Sequence, residues 1–326
     1  MKKVLIAIAL LGLLPHASAD YIHWVDFRLS APVLRSALEL DMASQGGEQP
    51  LDWIDILALA AAWRGGTGVT VADTQRAAQA LRGDTPPERL PGMAGRYFSY
   101  YREAYGAALG GLAGHFAIRR TDPQTGEAEW IPAYGLKAFS PIAAGYFWSH
   151  YPDFGAQRSY GYARPHLGND ILGALGTPIC AVEGGTVEAL GWNRYGGWRI
   201  GIRSDDRKRY YYYAHLRKDA PYAEGLAVGQ RVQAGDVIGF MGRTGYSAQE
   251  NVNNIETVHL HFGLQLIFDE SQKECDSEIW IDVYPIIELL ASHCSSVARD
   301  PQTGRWERLY PYCDLDAEPL RSAAAR

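Results

Sequence analysis

Apolar residues recur at helical spacing from about residue 30 to about residue 120. Leu34, Leu38 and Met42 follow one another at intervals of one helical turn, which places them on one face of a helix. A second apolar stretch ends at Gly65, a residue type that often terminates helices. The same reasoning applied along this region predicts helices near residues 34–42, 51–63, 74–81 and 97–112.

After about residue 136 the pattern changes to short runs rich in Val, Ile and Tyr, separated by turns that contain glycine. Such runs are typical of β-strands. The predicted strands lie at residues 178–182, 185–192, 198–203, 209–215, 237–241 and 258–268, followed by a helix at 281–292. We therefore expect an α+β fold. Its parts are a helical N-terminal domain at residues 20–138, a mostly antiparallel β domain at 139–292 and an irregular tail at 293–326.

The first residues have the pattern of a secretory signal peptide. Lys2 and Lys3 precede an apolar run of 11 residues, and Ala17 and Ala19 occupy the two positions that a signal peptidase inspects. The run is well short of the roughly 20 residues that cross a bilayer. We expect cleavage of residues 1–19, secretion across the cytoplasmic membrane, no stable membrane insertion afterwards, and action in the periplasm or at the cell wall.

The charge balance narrows the class of partner. The full chain carries a formal charge of −6, and the loss of Lys2 and Lys3 with the leader leaves −8. A net negative protein is a poor binder of nucleic acid or of anionic lipid. We therefore expect no nucleic-acid partner.

Four cysteines in an exported chain permit disulfides, with three possible full pairings. Cys180 lies in an apolar run and is expected to be a buried small hydrophobe. A pair among the remaining three is expected, without a choice between them. None of the four has the CxxC spacing of a structural zinc site.

Three short segments carry candidate chemistry, at residues 164–170, 213–216 and 258–262. Side chains two residues apart in a strand point to the same face, so His259 and His261 share one face while the apolar residues between and beside them pack on the other. His166 and Asp170 also have equal parity. Besides His16 in the predicted leader, four histidines lie outside these segments and receive no predicted role: His23, His115, His150 and His293.

Two histidines on one strand face are costly unless something binds them. A catalytic zinc ion takes three protein ligands, usually histidine and carboxylate, and leaves one position open. The conjunction of the three segments therefore favours a zinc site over three unrelated polar residues.

The segments resemble those of the lysostaphin-type (LytM-like) zinc endopeptidases of the bacterial cell wall, in their HxxxD, isolated His and HxH motifs. The likeness covers about residues 139–290 and includes the glycine pattern at residues 228–239. The resemblance implies a duplicated hybrid motif-like β domain and hydrolysis of peptidoglycan peptide bonds through a zinc-activated water.

Carried over residue by residue, the resemblance makes His166, Asp170 and His261 the ligands of one zinc ion per chain. It makes His215 and His259 catalytic residues beside the metal. Which of these two histidines is the general base stays open, as does the peptidoglycan bond that is cut. The sequence contains no H-E-x-x-H motif, so a thermolysin-like site is excluded.

The strand before His215 is rich in tyrosine. Tyr211 and Tyr213 share the parity of His215 and are candidates to line a groove, whereas Tyr210 and Tyr212 are predicted to pack inward or against a neighbouring element. The alternative is that all four are ordinary sheet aromatics.

Three other interpretations compete with a zinc peptidase. A wall-binding or regulatory pseudoenzyme would have lost ligands, and here the set is complete. A biotinyl or lipoyl carrier needs a lysine at a hairpin tip, and none occurs between Lys218 and Lys273. A closed structural zinc site would take His215 as a fourth ligand.

The helical domain could dock to an unknown protein partner, occlude the groove or brace the β domain.

Overall fold

The structure is a computed structural model that describes residues 21–160, 162–273 and 277–317. The predicted signal peptide lies outside the described residues. Within them, a helical region precedes mostly antiparallel sheets, so the predicted α+β class is confirmed. No helix in the described part of the chain combines the length and the apolar character that crossing a membrane requires.

The helical region contains α1 (Ala31–Ser44), α2 (Trp53–Arg64), α3 (Val71–Leu81) and α4 (Met93–Leu109). The side chain of Asp52 accepts a hydrogen bond from the Ile54 backbone and caps the start of α2, and Gly65 ends that helix at φ 64°. A capping box between Thr70 and Asp73 starts α3. This box explains why α3 begins at Val71, before the predicted residue 74.

A β-hairpin follows α4, inside the segment that was predicted to be helical. It consists of β1 (Ala113–Thr121) and β2 (Ala128–Leu136), paired antiparallel along their whole length. Pro132 lies in β2, where it is tolerated because β2 is an edge strand with one unpaired side. The prediction of helical structure up to about residue 120 is therefore wrong from Ala113 onward.

The main sheet has eight strands in the order β11-β8-β9-β10-β13-β6-β3, with β14 also paired to β13. The predicted strands of this region are confirmed with ends shifted by at most two residues. Two short two-stranded pairs lie outside this sheet, β4 with β5 and β7 with β12. The strands of the main sheet and of these pairs are β3 (Trp148–His150), β4 (Gln157–Tyr160), β5 (Tyr162–Pro165), β6 (Asn169–Gly173), β7 (Pro178–Cys180), β8 (Gly185–Asn193), β9 (Gly197–Ser204), β10 (Arg209–Ala214), β11 (Arg231–Val232), β12 (Val237–Phe240), β13 (His259–Leu266) and β14 (Ile279–Trp280).

After the sheet come α5 (Tyr284–Leu290) and three short strands, β15 (Val297–Arg299), β16 (Trp306–Arg308) and β17 (Tyr312–Asp314). The strands β15 and β16 form a hairpin, and β17 pairs with β1. The prediction of an irregular tail is therefore wrong for these three strands. Strands of three residues are too short for alternation to be visible in the sequence.

The helical region is tied to the main sheet by one buried arginine. Arg209 is 1% exposed; its guanidinium pairs with Glu183 at 2.7 Å and donates to the backbone oxygen of Ala107, near the end of α4, at 2.7 Å. A cation is favourable at a helix C-terminus. This contact fixes α4 against the β domain.

The predicted cysteine pair is not formed between the two described C-terminal cysteines. Cys294 and Cys313 are both free thiols, and Cys180 is free and fully buried, as expected of a small hydrophobe. Cys275 lies outside the described residues.

Candidate metal centre

Two neighbouring strands and one loop bring the three predicted ligands together. In the pairing of β13 with β6, His261 lies directly opposite Asp170, so both side chains occupy one face of the sheet. His166 follows β5 and precedes β6 in the chain. Its Nε2 lies 2.8 Å from His261 Nδ1 and 3.0 Å from Asp170 Oδ1, and the last two atoms are 3.2 Å apart.

This triangle of donor atoms fits a zinc ion. Tetrahedral coordination with bonds of 2.0–2.1 Å separates neighbouring ligand atoms by about 3.3 Å, close to the observed spacings. Among the described residues, only these three form a cluster of side chains that is arranged to bind a metal ion. His215 is not part of it, which argues against a closed site with four protein ligands.

The other two predicted site histidines lie beside the triangle. His259 is on the same strand face as His261, and its Nε2 is 3.7 Å from Asp170 Oδ1. The ring of His215 lies 4.7 Å from that of His259 between centroids. The Nδ1–H of His215 donates to the Thr244 backbone oxygen at 2.9 Å, and that of His259 donates to the Thr257 oxygen at the same distance. Each ring therefore has its Nε2 available on the other side.

Burial and neighbouring charges set the protonation of the group. Burial acts to lower the pKa of His166, but hydrogen bonds to Asp153 and Asp170 outweigh it and raise the pKa to about 9. Burial acts to raise the pKa of Asp170, but His166 and His261 hold it well below its usual range. Burial lowers the pKa of His261 and, further, that of His215. Near pH 7 the last two rings are neutral.

Comparison with known proteins shows that part of the chain matches a peptidase family. Residues 164–274, which include all five predicted site residues, match the description Peptidase family M23. This part of the chain is similar to the M23 peptidases. The predicted resemblance to the lysostaphin-type peptidases is thereby confirmed.

Relatives that match this part of the chain include a named endopeptidase and lysostaphin. The L-Ala–D-Glu endopeptidase of Bacillus subtilis (strain 168) is 41% identical over 124 residues, which are 38% of this chain and 36% of that protein. Lysostaphin of Staphylococcus simulans is 37% identical over 98 residues, 30% of this chain and 17% of that protein. The chain thus spans about a third or less of the length of these relatives. A LytM structure from Ruminococcus gnavus ATCC 29149 is 26% identical, with a TM-score of 0.48, and covers 82% of this chain and 91% of that one.

Two residues that the sequence analysis missed support the triangle from outside the matched segment. Asp153 Oδ2 lies 3.2 Å from His166 Nδ1, the nitrogen that faces away from the other donors. Arg158 donates both to Asp153, at 2.8 Å, and to Asp170 Oδ2, at 2.9 Å. A carboxylate on the far nitrogen of a metal-binding histidine fixes its tautomer and orientation. Neither residue stands in a motif, because only the fold brings them to His166.

A groove of about 210 Å³ opens over the triangle and adjoins a second hollow of about 400 Å³. Tyr212 and Tyr246 line the first, and Arg164 lies over the rings of Tyr195 and Tyr246 at 4.7 and 5.6 Å. All lining residues of both hollows belong to the β domain, so no described residue of the helical region occludes the groove.

A larger hollow of about 990 Å³ lies between the β1–β2 hairpin and residues 293–312. None of the five predicted site residues lines it. The donor atoms of the candidate site therefore lie away from this larger hollow.

Three of the four tyrosines of β10 differ from the prediction, whereas Tyr210, 5% exposed, is buried as predicted. Tyr211 and Tyr213 are at most 1% exposed and pack in the core, whereas the ring of Tyr212 lies in the groove, 5.9 Å from that of His261. The prediction carried the strand alternation through to His215. That residue has a left-handed backbone at φ 61°, so the alternation ends before it.

Proposed function

We propose that this protein is an exported zinc metalloendopeptidase that hydrolyses peptide bonds of bacterial peptidoglycan. The supporting observation is the triangle of His166 Nε2, Asp170 Oδ1 and His261 Nδ1, open on one side to a groove that two further histidines line. Three protein donors and an open position are the pattern of a catalytic zinc site.

In this proposal His166, Asp170 and His261 hold one zinc ion. When bound, the ion supplies Lewis acidity toward a peptide carbonyl and toward water. Asp153 and Arg158 keep the donors in place. Asp170 is already ionised and His261 is already neutral, so neither residue changes its protonation when zinc binds. His166 loses the proton on Nε2.

His215 and His259 are the proposed catalytic residues. Each is anchored at Nδ1 by a backbone carbonyl, so each presents Nε2 to the groove. The neutral ring of His215 accepts a hydrogen bond from the attacking water, and the two rings together orient that water and carry its proton to the departing amine.

The proposed substrates are short peptides of peptidoglycan stems or cross-bridges. The groove above the triangle is narrow and lined by aromatic rings, which suits a peptide backbone with small side chains. One relative is named an L-Ala–D-Glu endopeptidase and another a glycyl-glycine endopeptidase, so each name specifies a bond that has alanine or glycine on at least one side. We also propose that residues 139–292 form the peptidase domain and act in the periplasm or at the cell wall.

Digestion of purified peptidoglycan by the mature protein tests this function. New amino termini that appear with zinc and disappear with a chelator are the expected result, and the fragment masses then identify the bond. Stoichiometric zinc with no new amino termini from walls of several cross-link types contradicts the proposed activity and favours the pseudoenzyme.

A further inference from the structure

His150 has no role in the chemistry described so far, yet it lies in the middle of a hydrogen-bonded chain that reaches the candidate metal centre. Its side chain is 5% exposed. Its Nδ1 lies 2.6 Å from Asn169 Oδ1, and its Nε2 lies 2.6 Å from Glu288 Oε1 on α5. Both ring nitrogens are therefore engaged by oxygen atoms.

The donors in this chain follow from the inventory of each group. The amide nitrogen of Asn169 donates to the Tyr151 backbone oxygen at 2.8 Å and to Asp153 Oδ1 at 2.9 Å, which commits both of its hydrogens. The amide oxygen of Asn169 must then face His150. The Nδ1 of His150 therefore carries a hydrogen and donates it to Asn169.

The chain ends at His166. Asp153, 4% exposed, accepts from Asn169 through Oδ1 and faces His166 Nδ1 through Oδ2 at 3.2 Å. Asn169 is fully buried, so water does not substitute for its partners. Each group in this series contacts the next. Asp153 is held as well by Arg158, at 2.8 Å, and its backbone oxygen also faces His166 Nδ1, at 3.1 Å.

The ring of His150 is itself held in one orientation. It stacks on Tyr284 at 4.4 Å between centroids and meets Trp148 edge to face at 5.2 Å. Tyr284 and Glu288 both belong to α5. The helix therefore fixes both the plane of the ring and the hydrogen bond at its far nitrogen.

We propose that His150 is a positioning residue of the metal centre, which orients His166 through Asn169 and Asp153 and is anchored by Glu288. The inference rests on the proposed function in one respect, that His166 binds the metal. Without the Nδ1 donor the buried oxygen of Asn169 loses its partner and the amide turns to recover one. Asp153 then loses a hydrogen bond, and the ring of His166 is no longer held in the orientation that zinc requires.

Zinc affinity, measured by competition with a chromophoric chelator, tests this without any peptidase assay. His150→Leu is expected to weaken zinc binding by about tenfold or more, the effect typical of losing an outer partner of a ligand. It is also expected to change the visible absorption of the cobalt-substituted protein. His150→Asn places an amide donor near the Nδ1 position and is expected to restore both. The matched control is His293→Leu, which removes another histidine that stacks on an aromatic ring, 4.6 Å from Phe139, and leaves the zinc affinity unchanged.

The outcomes separate the inference from the function. Tight zinc binding by the wild type with equal affinity in His150→Leu overturns the inference and leaves the proposed function standing. A wild-type protein that binds no zinc overturns both. If His150→Leu does not fold, His150→Asn and His150→Gln decide, because glutamine places its amide near the Nε2 position instead. The inference expects weaker zinc binding in the glutamine variant alone, and equal affinities contradict it.

Discussion

Replacing His215 by asparagine separates metal binding from proton transfer. His215 has a left-handed backbone at φ 61°, a conformation that asparagine tolerates better than most residues. Its Nδ1–H donates to the Thr244 oxygen at 2.9 Å, and the asparagine amide can take over that bond. The variant therefore keeps the turn and removes only Nε2, the atom that faces the groove.

We expect a large decrease in turnover and little loss of bound zinc. A positioned acid or base contributes about 10²- to 10⁴-fold to rate, which is about 3–5 kcal/mol of barrier. Zinc should remain, because His215 is not among the three clustered donors. His215→Ala should lose similar activity but should also be less stable than the asparagine variant, since a left-handed alanine costs about 1–2 kcal/mol.

The assay is release of amino termini from peptidoglycan under saturating zinc, with metal content and thermal unfolding measured on the same samples. Full zinc content, near wild-type stability and a turnover lower by at least about 10²-fold support the assignment. Turnover within a few-fold of wild type in His215→Asn refutes the catalytic role, and loss of zinc shows that His215 is a ligand.

Three further predictions address stability, pH and the ligand geometry. Arg209→Leu strands the buried charge of Glu183 and should cost about 3–5 kcal/mol in denaturant unfolding, with part of it recovered when Glu183 is also changed to Leu. Zinc affinity, followed by calorimetry, should rise about tenfold per pH unit up to about pH 9 and then level off, because His166 has a raised pKa of about 9 and must lose its proton to bind. A pH-independent affinity contradicts this. Gly168→Ala should weaken zinc binding by roughly tenfold in chelator competition, because the added Cβ would lie 2.7 Å from His261 Cε1; unchanged affinity contradicts it.

The strand pattern alone predicted much of the site. His259 and His261 had to share a face with two-residue spacing, and Leu260 and Phe262 are buried on the other face, as that parity requires. The proximity of Asp170 to His261 did not follow from spacing. It depends on the register between β6 and β13, which the resemblance implied and the structure describes.

The sequence could not predict the features that depend on tertiary contacts or on irregular backbone. Asp153 and His150 reach His166 only through tertiary contacts, so no short motif marks them. Tyr212 was assigned to the wrong face because one left-handed residue, His215, ends the alternation. Strand β17 forms because β1 offers it an edge, and its own three residues carry no signal of that partner.

The most direct test of the central claim is the zinc content of the purified mature protein beside that of His261→Ala, by elemental analysis. The account predicts about one zinc per wild-type chain and little in the variant, since the loss of His261 leaves two of three donors. Equal zinc in the two proteins, or none in the wild type, would contradict the assignment of His166, Asp170 and His261 as the metal centre.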